Sequence, residues 1–265
     1  ALGLPPVRLG AVPITRVELW AGRRHVAARL PFPALSLSRR VLDDALLDVA
    51  AAAGVEVQRG VAVRSLDAAR AITGGEILLA TGKHDLRGLP RPPGPDEIGL
   101  KMYFNAPALH RQLAGTVRVI FFAGGYAGLQ PVEGGRLNLC LLVDGPAYRA
   151  AGGWPALLAR LCAEPGLAAL AEAEALLPRP LAIARVPYGH LAADANDGLW
   201  RLGDQAAVIP SFCGDGMAIA LESGRLAAAM LAAGAIAADY QRALLRRTRR
   251  PVRLAMATLA VTRRP

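Results

Sequence analysis

The sequence predicts an α/β protein, α+β overall, and three observations carry that expectation. Helical-period segments alternate with short apolar runs toward both ends of the chain, the grammar of an α/β unit. Three consecutive strand-like runs, 117–123, 126–132 and 137–143, occupy the middle, separated by Gly124-Gly125 and Glu133-Gly134-Gly135, which suggests an antiparallel meander. Near the C-terminus a short strand ending in Gly203-Asp204 leads through a turn rich in Pro and Gly into a long helix. With 53% hydrophobic and 20% charged residues, the 265-residue chain can bury one large core or two moderate ones, and extended disorder is excluded.

The elements follow in order. Val17–Trp20 and His25–Leu30, around Ala21-Gly22-Arg23-Arg24, form a β-hairpin, and Pro31-Phe32-Pro33 ends it. Ser38 caps a helix whose Val41, Leu42, Ala45, Leu46, Val49 and Ala50 share helical spacing, with Gly54 at its C-terminal stop. Strands are expected at 55–57, 61–63 and 76–80. Four prolines between Leu89 and Pro95 mark a boundary. After the meander, helices are expected over 154–163 and 166–177, then a strand at 181–188 and a short one at 199–202. The chain ends in helices at 217–233 and from 239 to about 262, the last interrupted or kinked near Pro251.

Composition narrows the function classes. The net charge of +10 comes almost wholly from arginine, since Lys83 and Lys101 are the only lysines. No stripe of basic and aromatic residues accompanies it, so nucleic acid is not an expected partner. Cys140, Cys162 and Cys213 are odd in number and widely spaced, which argues for a reducing compartment rather than a disulfide framework. With no signal-peptide pattern and no apolar stretch of spanning length, a cytoplasmic protein is expected. His25, His84, His110 and His190 show no metal-ligand spacing with the cysteines, and no nucleophile elbow is present.

The most informative segment runs from Arg201 through Gly203, Asp204 and Gln205 to Pro210, and on through Ser211-Phe212-Cys213-Gly214-Asp215-Gly216-Met217. A carboxylate at a strand end accepts hydrogen bonds from sugar hydroxyls. Glycines at a helix start let a ligand approach the backbone, and the helix N-terminus offers N–H groups and partial positive charge. A surface turn with an ordinary cap is the alternative.

This segment resembles the second flavin motif of the aromatic-hydroxylase and geranylgeranyl-reductase superfamily, where Gly-Asp-Ala-Ala leads through Pro and Gly-x-Gly into a helix. Two other pieces resemble the same family in the same order. Leu37-Ser38-Arg39-Arg40-Val41-Leu42-Asp43 is similar to its Ser-Arg-x-x-Leu-Asp helix start, and Ile77-Leu78-Leu79-Ala80-Thr81-Gly82 to its Ala-Thr-Gly strand end. The resemblance implies an FAD-dependent oxidoreductase with an incomplete FAD-binding Rossmann-like domain and an antiparallel-sheet substrate domain. In this reading residues 1–33 add a hairpin to the substrate-domain sheet, 34–88 and 193–265 belong to the FAD-binding domain, and 89–192 form the substrate domain. The family's opening strand and Gly-x-Gly-x-x-Gly turn are not found in this sequence, so a family fold lacking its N-terminal dinucleotide unit is expected.

Carried over by position, Gly203 and Asp204 bind the ribityl or pyrophosphate region of FAD, and Pro210, Gly214, Asp215, Gly216 and Met217 line the flavin's pyrimidine edge. Arg39 reaches the cofactor from the first helical turn, where an arginine opposes the macrodipole; an ordinary surface arginine is the alternative. Thr81 and Gly82 pass near the adenosine half. Gln205 stands where the family carries alanine, with no evident consequence. Tyr126, within Gly125-Tyr126-Ala127-Gly128-Leu129-Gln130-Pro131, and Tyr188 are the candidates to contact substrate, unless they fill the core. Phe104, Phe121 and Phe122 either line an apolar pocket or fill the core.

The resemblance implies FAD, with NAD(P)H as electron donor, and a small hydrophobic organic substrate. A monooxygenase leads, with carbon–carbon double-bond reduction next and halogenation third, because no halogenase lysine signature is evident. A non-catalytic remnant is the reading from another class. The basic C-terminal run, Arg242, Arg246, Arg247, Arg249, Arg250 and Arg253, offers peripheral contact with an anionic membrane or is a solvated face. No obligate protein partner is implied.

Overall fold

The computed structural model describes residues 3–193 and 197–262. In chain order the elements are β1 (Val12–Ala21), β2 (Arg24–Ser36), α1 (Arg39–Ala52), α2 (Leu66–Ile72), β3 (Leu78–Leu79), β4 (Glu97–Asn105), α3 (Pro107–Gln112), β5 (Gly115–Phe122), β6 (Gly125–Pro131) and β7 (Arg136–Asp144). There follow α4 (Gly145–Ala151), α5 (Trp154–Cys162), β8 (Glu174–Ala175), β9 (Leu181–Ala184), β10 (Trp200–Arg201), α6 (Gly216–Ala232) and α7 (Ala237–Thr262). The chain divides into two compact units, Ala1–Arg59 with Asp96–Ala184, and Gly60–Pro95 with Arg185–Pro265.

The first unit is built on one eight-stranded sheet in the order β2-β1-β5-β6-β7-β4-β8, with β9 also pairing β4. All neighbours are antiparallel except β1 and β5, which run parallel. The expected meander is β5-β6-β7. Alternation along the strands sends Leu137, Leu139, Leu141 and Val143 of β7, and Leu100, Met102 and Phe104 of β4, to one face. Leu109 of α3 and Leu157 and Leu161 of α5 cover them. β4 itself was not anticipated, although Leu100, Met102 and Phe104 alternate cleanly; the proline cluster before it masks the strand.

The hairpin is longer than expected. Pairing lapses only where Thr15 stands opposite Leu30–Pro33, because the register jumps from Ile14–Ala34 to Arg16–Arg29. Proline has no N–H to give a ladder, and on an edge strand the chain bulges around the two prolines and resumes.

α1 has the predicted Ser38 cap, its hydroxyl accepting from the Val41 N–H at 3.4 Å. The Ser38 N–H in turn donates to Glu133 Oε2 at 2.8 Å, which fastens the helix start to the β6–β7 turn. That bond lies within the first unit, which extends to Arg59.

The second unit pairs β3 with β10 in parallel, beneath α6 and α7. Trp200, fully buried, packs on Tyr240 with ring centroids 5.0 Å apart, and its indole N–H donates to Glu76 at 2.9 Å. Residues 189–192 run antiparallel to 206–208, joined by Gly189 N–H to Val208 O at 2.8 Å and Ala192 N–H to Ala206 O at 2.8 Å. α7 runs through Pro251 without a break.

Several expectations are corrected. Residues 55–57 and 61–63 are not strands: they find no pairing partner, and Val55 and Val61 stay exposed. The helix expected at 166–177 is a 3₁₀ turn at Ala168–Glu172, since Glu174 and Ala175 are taken up as β8 on the edge of β4. The strand at 181–188 stops at Ala184, where Arg185 adopts a φ of 56° and the Gly94 N–H bonds its carbonyl at 3.0 Å. No helix among the described residues is long and apolar enough to cross a membrane.

Candidate functional site

In the second unit, the turn after β10 is fixed by the helix that follows it. Gly203 has a φ of 53°, and a Cβ there would lie 3.3 Å from that of Ala220 in α6, so only glycine lets strand end and helix approach this closely. Its N–H donates to Ser223 Oγ at 2.9 Å, and Ser223 passes the bond on to the Ala220 carbonyl at 2.8 Å. The Tyr240 hydroxyl bonds the Arg201 carbonyl at 3.0 Å, which holds the end of the same strand.

This scaffold presents Asp204. Its carboxylate is half-buried and makes no hydrogen bond or ion pair among the described residues, while its carbonyl accepts from Arg91 Nη1. Arg91 has only 6% of its side chain exposed and pairs through Nε with Asp85 at 2.6 Å. Burial works to raise the Asp85 carboxyl, but hydrogen bonds and charge from Arg91 outweigh it and hold it below its ordinary value. His190 is likewise pushed down from a free imidazole, first by burial and then by the charge of Arg91.

Gln205 overturns the expectation that it has no consequence. It is buried, and its amide donates to the carbonyls of Gly82 and His84, both at 2.9 Å. One side chain thereby joins the Thr81-Gly82 turn to the Gly203-Asp204 turn, two pieces more than 120 positions apart in sequence. A family alanine at this position offers no such bond. Thr81 spends its hydroxyl within its own turn, donating to the His84 carbonyl at 2.6 Å, which leaves Gly82, with a φ of 64° and open space around it, as the accessible member.

Pro210 is buried and starts the turn that ends at Gly214, whose φ is 77°. Asp215 then occupies the cap position of α6 without any side-chain capping bond. The first N–H groups of a 17-residue helix are left to whatever ligand or water lies there. Gly214, Asp215 and Met217 are exposed, and a Cβ at Gly214 or Gly216 would meet nothing within 4 Å. Tyr188 joins this turn, its hydroxyl 2.7 Å from Ser211 Oγ.

These features fit the FAD the motif implies. A carboxylate without a partner among the described residues, glycines with room for a close approach and a helix start without a side-chain cap are what hydroxyls and an electron-rich ring edge require. Gln205, Arg91 and Ser223 were missed by sequence reasoning. The signal for Gln205 was present, an amide leading the apolar run Ala206–Ile209, since a buried amide must find partners. Arg91, among prolines, carries no such signal.

The remaining candidates lie in the first unit. Arg39 pairs with Asp43 one turn on in α1, Nε to Oδ1 and Nη2 to Oδ2 both at 3.0 Å, and is well exposed. Phe104 is core, and Phe122 packs against the core. Tyr126 is buried but stands on the other face of the sheet from that core, beside Phe121 with ring centroids 6.5 Å apart.

No family model matches the chain, and no curated protein does. Solved structures do. The myxobacterial chondrochloren halogenase superposes with a TM-score of 0.72 at 20% identity, over 98% of this chain and 69% of its own. A flavin-dependent brominase gives 0.71 at 15% identity, over 92% of this chain and 69% of its own. The probable FAD-dependent monooxygenase PqsL of Pseudomonas aeruginosa gives 0.67 at 17% identity, over 97% of this chain and 80% of its own. The chain has the fold these three proteins share.

Proposed function

We propose that the chain is an FAD-dependent oxidoreductase acting on a hydrophobic organic substrate, in the first instance as a monooxygenase drawing electrons from NAD(P)H. The observation that carries the proposal is the half-buried Asp204 carboxylate, without a partner among the described residues, beside the start of α6, which has no side-chain cap, on a turn braced by Gln205 and Arg91. The shared fold with flavin-dependent enzymes supports it.

When bound, FAD supplies the redox chemistry and the activation of oxygen. The chain's own residues do the rest. Asp204 accepts hydrogen bonds from cofactor hydroxyls, and Gly82 on the neighbouring turn gives its backbone room to approach. Gly214–Met217 at the α6 N-terminus would hold the ring edge, and the helix start would stabilise negative charge there. Tyr188 adjoins that turn through Ser211 and is the proposed substrate contact there. Arg39 remains a proposed cofactor contact, one that must release Asp43 to act. Peripheral membrane contact through the exposed Arg246, Arg249, Arg250 and Arg253 of α7 is a proposal of the same standing.

Halogenation is the chemistry named for two of the three similar structures, and one fold hosts several reactions. The order of the readings is therefore set by substrate assays, after cofactor binding is tested. That test is a spectroscopic titration of the purified chain with FAD, in parallel with Asp204→Ala. A resolved bound-flavin spectrum is expected, weakened about ten- to hundredfold in the variant, the loss of one bond to a charged group. Equal affinity in the variant refutes the placement of the cofactor, and no binding by either refutes the reading for this chain.

A further inference from the structure

The core face of the large sheet continues past its apolar cluster into a charged edge. Trp20, Glu18 and Arg16 follow one another at the strand period along β1, and Trp20 packs against the core, so Arg16 lies on the same face beyond it. Glu18 is already occupied. Its Oε2 accepts from Arg118 Nε at 2.9 Å and from the Trp20 indole N–H at 3.3 Å, while its other oxygen stands 4.0 Å from Arg16. Across the strand pair, Arg16 directly faces Arg29 of β2. Residues opposed in this way hold their Cβ atoms roughly 5 Å apart, and like charges there are destabilising. Arg29 makes no hydrogen bond or ion pair among the described residues.

The bulge that follows this arginine pair opens a cavity of about 580 Å³, a volume in the range of small-ligand sites. Arg16 and Arg29 line it together with Thr15 and the buried Thr116, and none of its lining residues is acidic. Thr116 Oγ1 accepts from Arg16 Nε at 3.3 Å and from Nη2 at 3.2 Å, which orients the guanidinium and leaves Nη1 without a bond among the described residues. Phe32 lines the same cavity. It is 64% exposed, and the prolines on either side of it, with their fixed φ, restrict how far that ring can be withdrawn from water. Two features that cost stability in the free chain, opposed cations and an exposed ring, thus meet in one cavity.

We propose that this cavity binds a phosphate monoester with an aromatic or apolar body, its phosphoryl oxygens bridging Arg16 and Arg29 and its body resting on Phe32. A phosphoryl group close to a dianion gives each guanidinium its own oxygen and offsets both charges, where a single carboxylate offsets one. The exposed Thr15 hydroxyl supplies a further donor. The site lies within the first unit, and the proposal does not rest on the oxidoreductase reading.

The full chain is titrated calorimetrically with phenyl phosphate, inorganic phosphate and benzoate at one ionic strength. Phenyl phosphate is expected to bind roughly tenfold more tightly than either of the others. Arg16→Gln and Phe32→Ser are each expected to weaken it by roughly tenfold, while Arg23→Gln, at the tip of the same hairpin, leaves it unchanged. Arg29→Glu guards against a folding artefact. It places opposite charges across the strand pair, so the ligand-free chain should melt no earlier than the parent while phenyl phosphate binding is lost. The proposal is overturned by a parent chain that binds no phenyl phosphate, or that binds inorganic phosphate or benzoate as tightly. Undiminished affinity in Arg16→Gln, Phe32→Ser or Arg29→Glu, or an equal loss in Arg23→Gln, overturns it as well. So does an Arg29→Glu chain that melts earlier than the parent, since the opposed arginines would then be serving the strand rather than a ligand.

Discussion

Replacing Gln205 by methionine keeps the length and volume of the side chain and deletes both donated hydrogen bonds. Those bonds, 2.9 Å each, go to the carbonyls of Gly82 and His84. At about 0.5–1.5 kcal/mol net apiece, and with the exposed His84 loop free to turn its carbonyl to water, the loss comes to about 2 kcal/mol. For a protein of this size that corresponds to a melting temperature lower by roughly 4–8 °C. The effect should be local as well as global. The 81–88 turn contains Lys83 and Arg87, and once released from the Gly203–Asp204 turn it should be cut faster by trypsin at these sites. Differential scanning calorimetry and timed proteolysis read the two effects. A variant that melts within about 1 °C of the parent and is cut no faster would refute the idea that Gln205 braces the site.

The titration of His190 makes a second prediction. Burial and Arg91 hold its folded pKa below the ~6.5 of a free imidazole, so as pH falls through 6.5 the unfolded chain takes the proton first. Stability present above that pH is then lost progressively toward the folded pKa, and His190→Asn should flatten this part of a melting-temperature profile; an unchanged slope counts against it. At Glu133, burial favours the neutral acid, but the Ser38 bonds and the Arg136 pair prevail and depress the carboxyl. Glu133→Gln should cost about 1–3 kcal/mol in urea denaturation at neutral pH, a difference that shrinks below pH 4.5 as the parent's carboxylate protonates; equal stability at neutral pH would rule out the tie to α1.

Much of the fold was legible because it is written locally. Ser38 caps its helix through an atom three residues away, and the glycine turns at 124–125 and 134–135 separate strands that pair with their immediate successors. What was not legible depends on partners distant in sequence. Val55–Val57 has a strand's composition and no strand beside it, whereas Glu174-Ala175 has a helix former's composition and an open edge of β4 to join. Intrinsic propensity differs between such states by about 1 kcal/mol, less than one ladder of hydrogen bonds contributes, so the partner decides.

The candidate site divides along the same line. Gly203, Asp204 and the 214–217 turn follow one another closely in the chain, and their geometry is set by a strand, a turn and a helix in sequence. Their braces are not: Arg91 reaches Asp204 across 113 positions and Gln205 reaches Gly82 across 123. The face of the large sheet opposite its core is harder still to read. Lys101, Cys140 and Gly128 come from three strands, and a slip of one residue in either pairing would turn one of them to the opposite side of the sheet. The apolar pattern guards against that slip, because it would also move Leu139 and Leu141 out of the core. Burial of one face therefore fixes which side chains the other displays.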